Sequence, residues 1–96
     1  MKLIATPRFS RVAKKLHQSE KESLDAAVRV IVADPDAGEM KKGDLAGVRV
    51  YKYRVKAQLV LVAYRVAQDE DALKLLSFGS HENFYRDLKR DVTLPR

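Results

Sequence analysis

The chain contains no cysteine. That excludes a disulfide framework, a thiol nucleophile and a Cys-ligated zinc site, and it fits a reducing cytoplasm. Only two histidines are present, His17 and His81, and no carboxylate spacing completes a metal site around either. Long apolar runs are also missing. The stretch Met1-Lys2-Leu3-Ile4-Ala5-Thr6-Pro7 lacks a run of signal-peptide length. The longest run, Leu59 to Tyr64, is far too short to span a bilayer, so no membrane partner is expected. No repeat, low-complexity tract or linker interrupts the chain. Residues 1–96 therefore read as one domain with one modest core.

Positive charge is what the sequence has in excess. The formal net charge is +6. Between residues 41 and 56 lie Lys41, Lys42, Arg49, Lys52, Arg54 and Lys56 against the single acid Asp44. A concentrated positive stripe on a small domain favours a nucleic acid or another polyanion, and an acidic protein would also suit it.

The stripe centres on Gly47 to Lys56, which alternates as a strand does. Successive side chains on a strand point to opposite faces. Val48, Val50, Lys52, Arg54 and Lys56 share one face; Arg49, Tyr51, Tyr53 and Val55 share the other. The second face suits a core. The first begins apolar and ends in three cations, which a core cannot hold unpaired.

The rest of the chain supplies a scaffold. Lys2 to Ala5 reads as a strand. Thr6-Pro7 reads as a helix start, with Thr as cap and Pro at the first helical position. Phe9, Val12, Ala13 and Leu16 follow at helical spacing, with Arg8, Arg11, Lys14 and Lys15 on a solvated side. Ser19 and Glu22 form a capping-box pattern for a second helix, with Leu24, Ala27, Val28, Ile31 and Val32 inward. His17 falls in the turn between the helices. Asp34-Pro35 ends the second helix. Residues 36–46 read as a loop. After the cationic strand, a turn at Ala57-Gln58 leads to a central strand, Leu59 to Val66, apolar on both faces. A last strand, Ala72 to Phe78, should place Leu73, Leu75 and Ser77 on one face and Lys74, Leu76 and Phe78 on the other. Gly79-Ser80 then opens a final helix with Phe84, Tyr85 and Leu88 inward. The order is β-αα-β-β-β-α. It predicts an α+β fold, a helical hairpin packed on a small, mainly antiparallel sheet.

His81 and Tyr85 stand four residues apart at the start of the last helix, which puts them on one face. Strand directions in a meander bring that helix start to the same sheet end as the cations. Histidine moves protons near neutral pH, and cations stabilise the charge that develops on a phosphorane. The combination suits metal-independent phosphodiester cleavage, with the RNA 2′-hydroxyl as nucleophile. Spacing alone fits equally well a capping-turn histidine beside a core-edge aromatic.

Val50 to Val55, Leu61 to Val66 and Ser77-Phe78-Gly79-Ser80-His81-Glu82-Asn83-Phe84-Tyr85, in this order, resemble the RelE/ParE superfamily of bacterial toxins. The resemblance covers nearly the whole chain. It implies the toxin half of a type II toxin–antitoxin pair, acting in the cytoplasm and held in a hetero-oligomer by a cognate acidic antitoxin. RelE-type members enter the ribosome and cut mRNA without metal or cofactor. ParE-type members poison DNA gyrase on the same fold. Carried over residue by residue, the RelE pattern assigns Lys52 and Arg54 to the scissile phosphate. It assigns His81 to the leaving group and Tyr85 to holding the nucleotide. Lys41, Lys42, Arg49 and Lys56 are then expected to contact RNA phosphates. Leu61 departs from the pattern, which has an arginine there to hold the phosphate.

Overall fold

The computed structural model describes residues 1–80 and Phe84. Strand β1 (Lys2–Ala5) is followed by helices α1 (Pro7–Lys14) and α2 (Gln18–Ala33), then β2 (Glu39–Met40), β3 (Arg49–Val55), β4 (Gln58–Ala67) and β5 (Ala72–Ser80). One five-stranded sheet runs in the order β1-β5-β4-β3-β2. Among the described strands, β1 and β5 pair in parallel and the other three pairings are antiparallel. The fold is α+β, as the sequence predicts, and the apolar strand β4 is central. The predicted C-terminal helix lies outside the described residues except at Phe84, which is helical and buried.

Helix α1 starts where the Thr6-Pro7 signal places it. The Thr6 hydroxyl accepts from the Phe9 N–H at 3.2 Å, which satisfies one of the free donors of the first turn. The same hydroxyl donates to the Leu76 carbonyl at 2.8 Å, and the Thr6 N–H donates to the Leu75 carbonyl at 3.0 Å. Two successive β5 carbonyls thus reach towards the start of α1. This occurs where the β4–β5 register slips between Ala63 and Tyr64. The extra residue is Leu76, between Leu75 opposite Tyr64 and Ser77 opposite Ala63. The bulge corrects the predicted faces. Leu73, Leu75 and Phe78 pack under the helices, while Leu76 joins the opposite face.

Helix α2 begins two residues before the Ser19 signal. His17 is its N-cap, and the His17 N–H donates to a Glu20 carboxylate oxygen at 3.1 Å. The backward reach of an acid at the third helical position is the half of a capping box that operates here. Ser19 lies inside the helix, where its carbonyl accepts from the Ser23 hydroxyl. Leu24, Ala27 and Ile31 are buried as expected, but Val32 is exposed. The helix stops at Asp34, before Pro35.

The sheet carries apolar side chains on both faces. Under the helices, Phe9, Leu24 and Ile31 meet Val62, Tyr64, Leu73 and Leu75. Phe9 and Phe78 contact edge to face, with ring centroids 4.9 Å apart. On the far face, Leu45, Val48, Val50, Leu61, Ala63 and Phe84 form a second cluster. Leu45 comes from the segment predicted as a loop, which instead contains β2 and a short 3-10 turn, Gly43–Leu45. Tyr64 ties that segment down. Its buried hydroxyl donates to the Pro35 carbonyl at 2.6 Å and accepts from the Gly38 N–H at 2.8 Å. A Cβ at residue 38 would sit 2.7 Å from the Tyr64 ring, so only glycine fits this approach.

Candidate nucleic-acid interface

The alternation of β3 determines what the far face offers. Val48 and Val50 are buried under Leu45 and Phe84, whereas Lys52 and Arg54 are exposed. The face changes from apolar floor to cationic rim within two residues. The opposite side of β3 is less of a core than its aromatics suggest. Tyr51 and Tyr53 are only half-buried, with rings 6.4 Å apart. Burial pushes the Tyr53 hydroxyl up to about 12, and the charge of Glu20 adds to the shift.

Pairing register locates the rim. Lys52 faces Leu61, and Leu61 faces Gly79. Tyr53 faces Val60, and Val60 faces Ser80. The cationic end of β3 and the end of β5 therefore share one end of the sheet. His81 and Tyr85 lie outside the described residues. Leu61 is in the floor of this face with no exposed surface, so its side chain does not reach the solvent side where a phosphate would lie.

Of the other predicted phosphate contacts, Arg49 and Lys56 do not join Lys52 and Arg54 on this strand face. Arg49 points to the opposite side of β3. Its guanidinium pairs with the Asp36 carboxylate at 3.2 Å and donates to the Gly38 carbonyl at 2.8 Å. It serves the segment that Tyr64 also holds. Lys56 has left the strand: β3 ends at Val55, and Lys56-Ala57 makes the two-residue turn to Gln58. The predicted turn at Ala57-Gln58 is thus one residue late. Lys56 adopts a left-handed φ of 57°, where glycine is the usual occupant. Lys42 is exposed just before the 3-10 turn. Lys41 lies on the same face as Lys52 and pairs with Glu39.

The profile of the ParE-like toxins of type II bacterial toxin–antitoxin systems matches residues 3–89. The chain belongs to this family. It is a type II toxin of the RelE/ParE superfamily, and its fold is shared with solved RelE structures. The free Escherichia coli RelE toxin carrying two arginine-to-alanine substitutions superposes with a TM-score of 0.71 at 16% identity, covering 95% of this chain and 92% of that one. The RelBE2 toxin–antitoxin complex of Mycobacterium tuberculosis matches with a TM-score of 0.71 at 15% identity, over 83% and 96%. The intact E. coli RelBE complex matches with a TM-score of 0.67 at 18% identity, over 84% and 96%. At such identities the likeness concerns the fold alone. No curated protein matches the chain.

Two further residues of the toxin stand near the site without having been singled out by sequence. Glu39 is on the face of Lys52, because it pairs with Val50. Its alternation with Lys41 was a strand signal, too short to read alone. Arg8, expected on a solvated helix side, is half-buried instead. It lines a cleft of about 170 Å³ with Val12, Ser77, Phe78, Gly79, Ser80 and Phe84. Among the described residues, no group of three or more carboxylates or histidines could hold a metal ion, and no helix is long and apolar enough to cross a membrane.

Proposed function

We propose that the toxin is a metal-independent, ribosome-dependent mRNA endonuclease of the RelE type, acting in the cytoplasm. The observation that carries this reading is the exposed pair Lys52 and Arg54, two residues apart on one face of β3. Two fixed cations at that spacing suit a phosphodiester whose charge grows in the transition state. The strand β5 ends beside them at Ser80, immediately before His81 in sequence. In this reading Lys52 and Arg54 stabilise the scissile phosphate and the 2′-hydroxyl attacks it. His81 protonates the leaving 5′-oxygen and Tyr85 holds the nucleotide. Lys41, Lys42 and Lys56 add phosphate contacts; Arg49 joins them only by releasing Asp36. A cognate acidic antitoxin silences the site by covering it.

A second reading has its own support. Leu61, buried where the RelE pattern carries arginine, removes one phosphate contact. That favours a ParE-type gyrase poison on the same fold. Toeprinting on translating ribosomes tests the first reading, with mRNA cut only when toxin is present as the expected result. Intact message together with inhibited DNA supercoiling would replace it by the second.

A further inference from the structure

Among the described strand residues of the cationic face stands an acid, Glu39, whose position is built rather than incidental. Glu39 lies on β2 opposite Val50, so its side chain shares the face of Lys52 and stands diagonally next to it. Lys41, two residues on, shares that face and pairs with the Glu39 carboxylate. The backbone that carries Glu39 is held on both sides. The Lys41 N–H donates to the Val48 carbonyl at 2.9 Å. At Gly38, the Tyr64 hydroxyl takes the N–H and the Arg49 guanidinium takes the carbonyl, each at 2.8 Å. The carboxylate itself is two-thirds exposed and free to swing away.

We infer that Glu39 is a specificity-determining residue of this face: its carboxylate occupies Lys41 and draws on Lys52 as a phosphate would. A nucleic acid must displace it to gain both lysines. The inference rests on the nucleic-acid reading above and concerns binding, not the chemical step. A single phosphate exchanges one anion for another and gains little. Several phosphates presented together also reach Arg54 and Lys42, and the exchange becomes favourable. Glu39 therefore selects polyanions of high local charge over isolated nucleotides and weakly held strands. The Lys41 hydrogen bond and charge hold the Glu39 carboxyl below its usual range, with a smaller pull from Lys52, so the internal anion persists at physiological pH.

The test is binding of a short single-stranded RNA to purified toxin, followed by fluorescence anisotropy across a salt series. Glu39→Gln should bind about threefold to fivefold tighter, the scale of an exposed ion pair removed. Its salt slope should steepen by about one unit. Glu22→Gln, an equal charge change on the exposed side of α2, should alter affinity by less than about twofold. The gain should largely vanish when Lys41→Ala is added, because Lys41 is the main partner of the Glu39 carboxylate. A Glu39→Gln gain no larger than that of Glu22→Gln, or one that survives Lys41→Ala in full, overturns the inference while leaving the RNA-binding reading intact. Wild-type toxin with no salt-dependent RNA binding overturns that reading, and the inference with it.

Discussion

Lys52 and Leu61 face each other across β3 and β4, one in solvent and the other with no exposed surface. The pair marks the boundary between the rim and the floor of the far face. It also changes what a substitution at Leu61 can do. An arginine there would not extend the rim. It would enter the cluster of Val48, Val50, Ala63 and Phe84 without a partner. Leu61→Arg should destabilise the fold by about 3–5 kcal/mol, the usual cost of an unpaired buried charge. Leu61→Met should cost under about 1.5 kcal/mol. Urea unfolding of both variants checks this. An Arg variant as stable as wild type would mean that the floor opens readily.

Lys52 and Arg54 should behave in the opposite way. Both are exposed, so Lys52→Ala and Arg54→Ala should leave stability within about 0.5 kcal/mol of wild type. If they stabilise the scissile phosphate, each should lower single-turnover mRNA cleavage by about 10²–10³-fold. His81→Ala should lower it by about 10²–10⁴-fold with little loss of ribosome binding. Wild-type cleavage by the His81 variant would remove histidine from the mechanism.

Lys56 combines a turn that prefers glycine with a charge proposed to meet RNA. The two roles separate in one variant. Lys56→Gly should stabilise the protein by about 1 kcal/mol through relief of the left-handed backbone. It should also reduce the salt slope of RNA binding by about one unit. Higher stability with an unchanged slope would make Lys56 a turn residue only.

The Tyr64 hydroxyl holds both ends of a short tether. Tyr64→Phe leaves the Gly38 N–H and the Pro35 carbonyl without this partner, at a cost of about 1–3 kcal/mol. Gly38→Ala should destabilise through contact with the ring. Both should speed protease cleavage between Asp34 and Val48, detectable by mass spectrometry of the fragments.

Alkaline pH should unfold the toxin through its tyrosines. Tyr53 keeps its proton up to about 12 when folded, against 10.0 for the ordinary group. Burial also raises Tyr64. A raised folded-state pKa favours the neutral form in the native protein. The contribution is therefore complete below pH 10 and is lost as pH rises towards 12. Denaturant midpoints should hold steady to about pH 10 and then fall. Tyr53→Phe should flatten part of that fall. An identical decline in the variant would assign it to Tyr64.

Local signals with strong chemistry were readable from the sequence. Thr6-Pro7 starts α1, Asp34-Pro35 ends α2, and the apolar run of β4 is central, each because one short segment sets its own backbone preference. The two exposed cations on β3 were readable for the same reason, since alternation needs no tertiary information. What escaped depends on distant partners. The bulge at Leu76 exists with the Thr6 hydroxyl on its carbonyl. The two-residue β2 has no periodicity of its own and is defined by pairing with β3. Ser19 carried the better local cap signal, yet Glu20 reaches back to His17. Arg49 looked like part of the cationic stripe because sequence proximity does not reveal that Asp36 and Gly38 lie on its side.

The parallel pairing of β1 with β5 bears on the toxin's synthesis. The Thr6 hydroxyl and the Leu76 carbonyl that it bonds are 70 residues apart. The sheet partners of Phe9, Leu24 and Ile31 lie in β3, β4 and β5. Both helices therefore leave the ribosome before the surface that buries them has been made. Such long-range closure delays folding until late in translation. A message interrupted before β5 would release a chain that cannot complete its sheet, rather than a shortened but folded toxin.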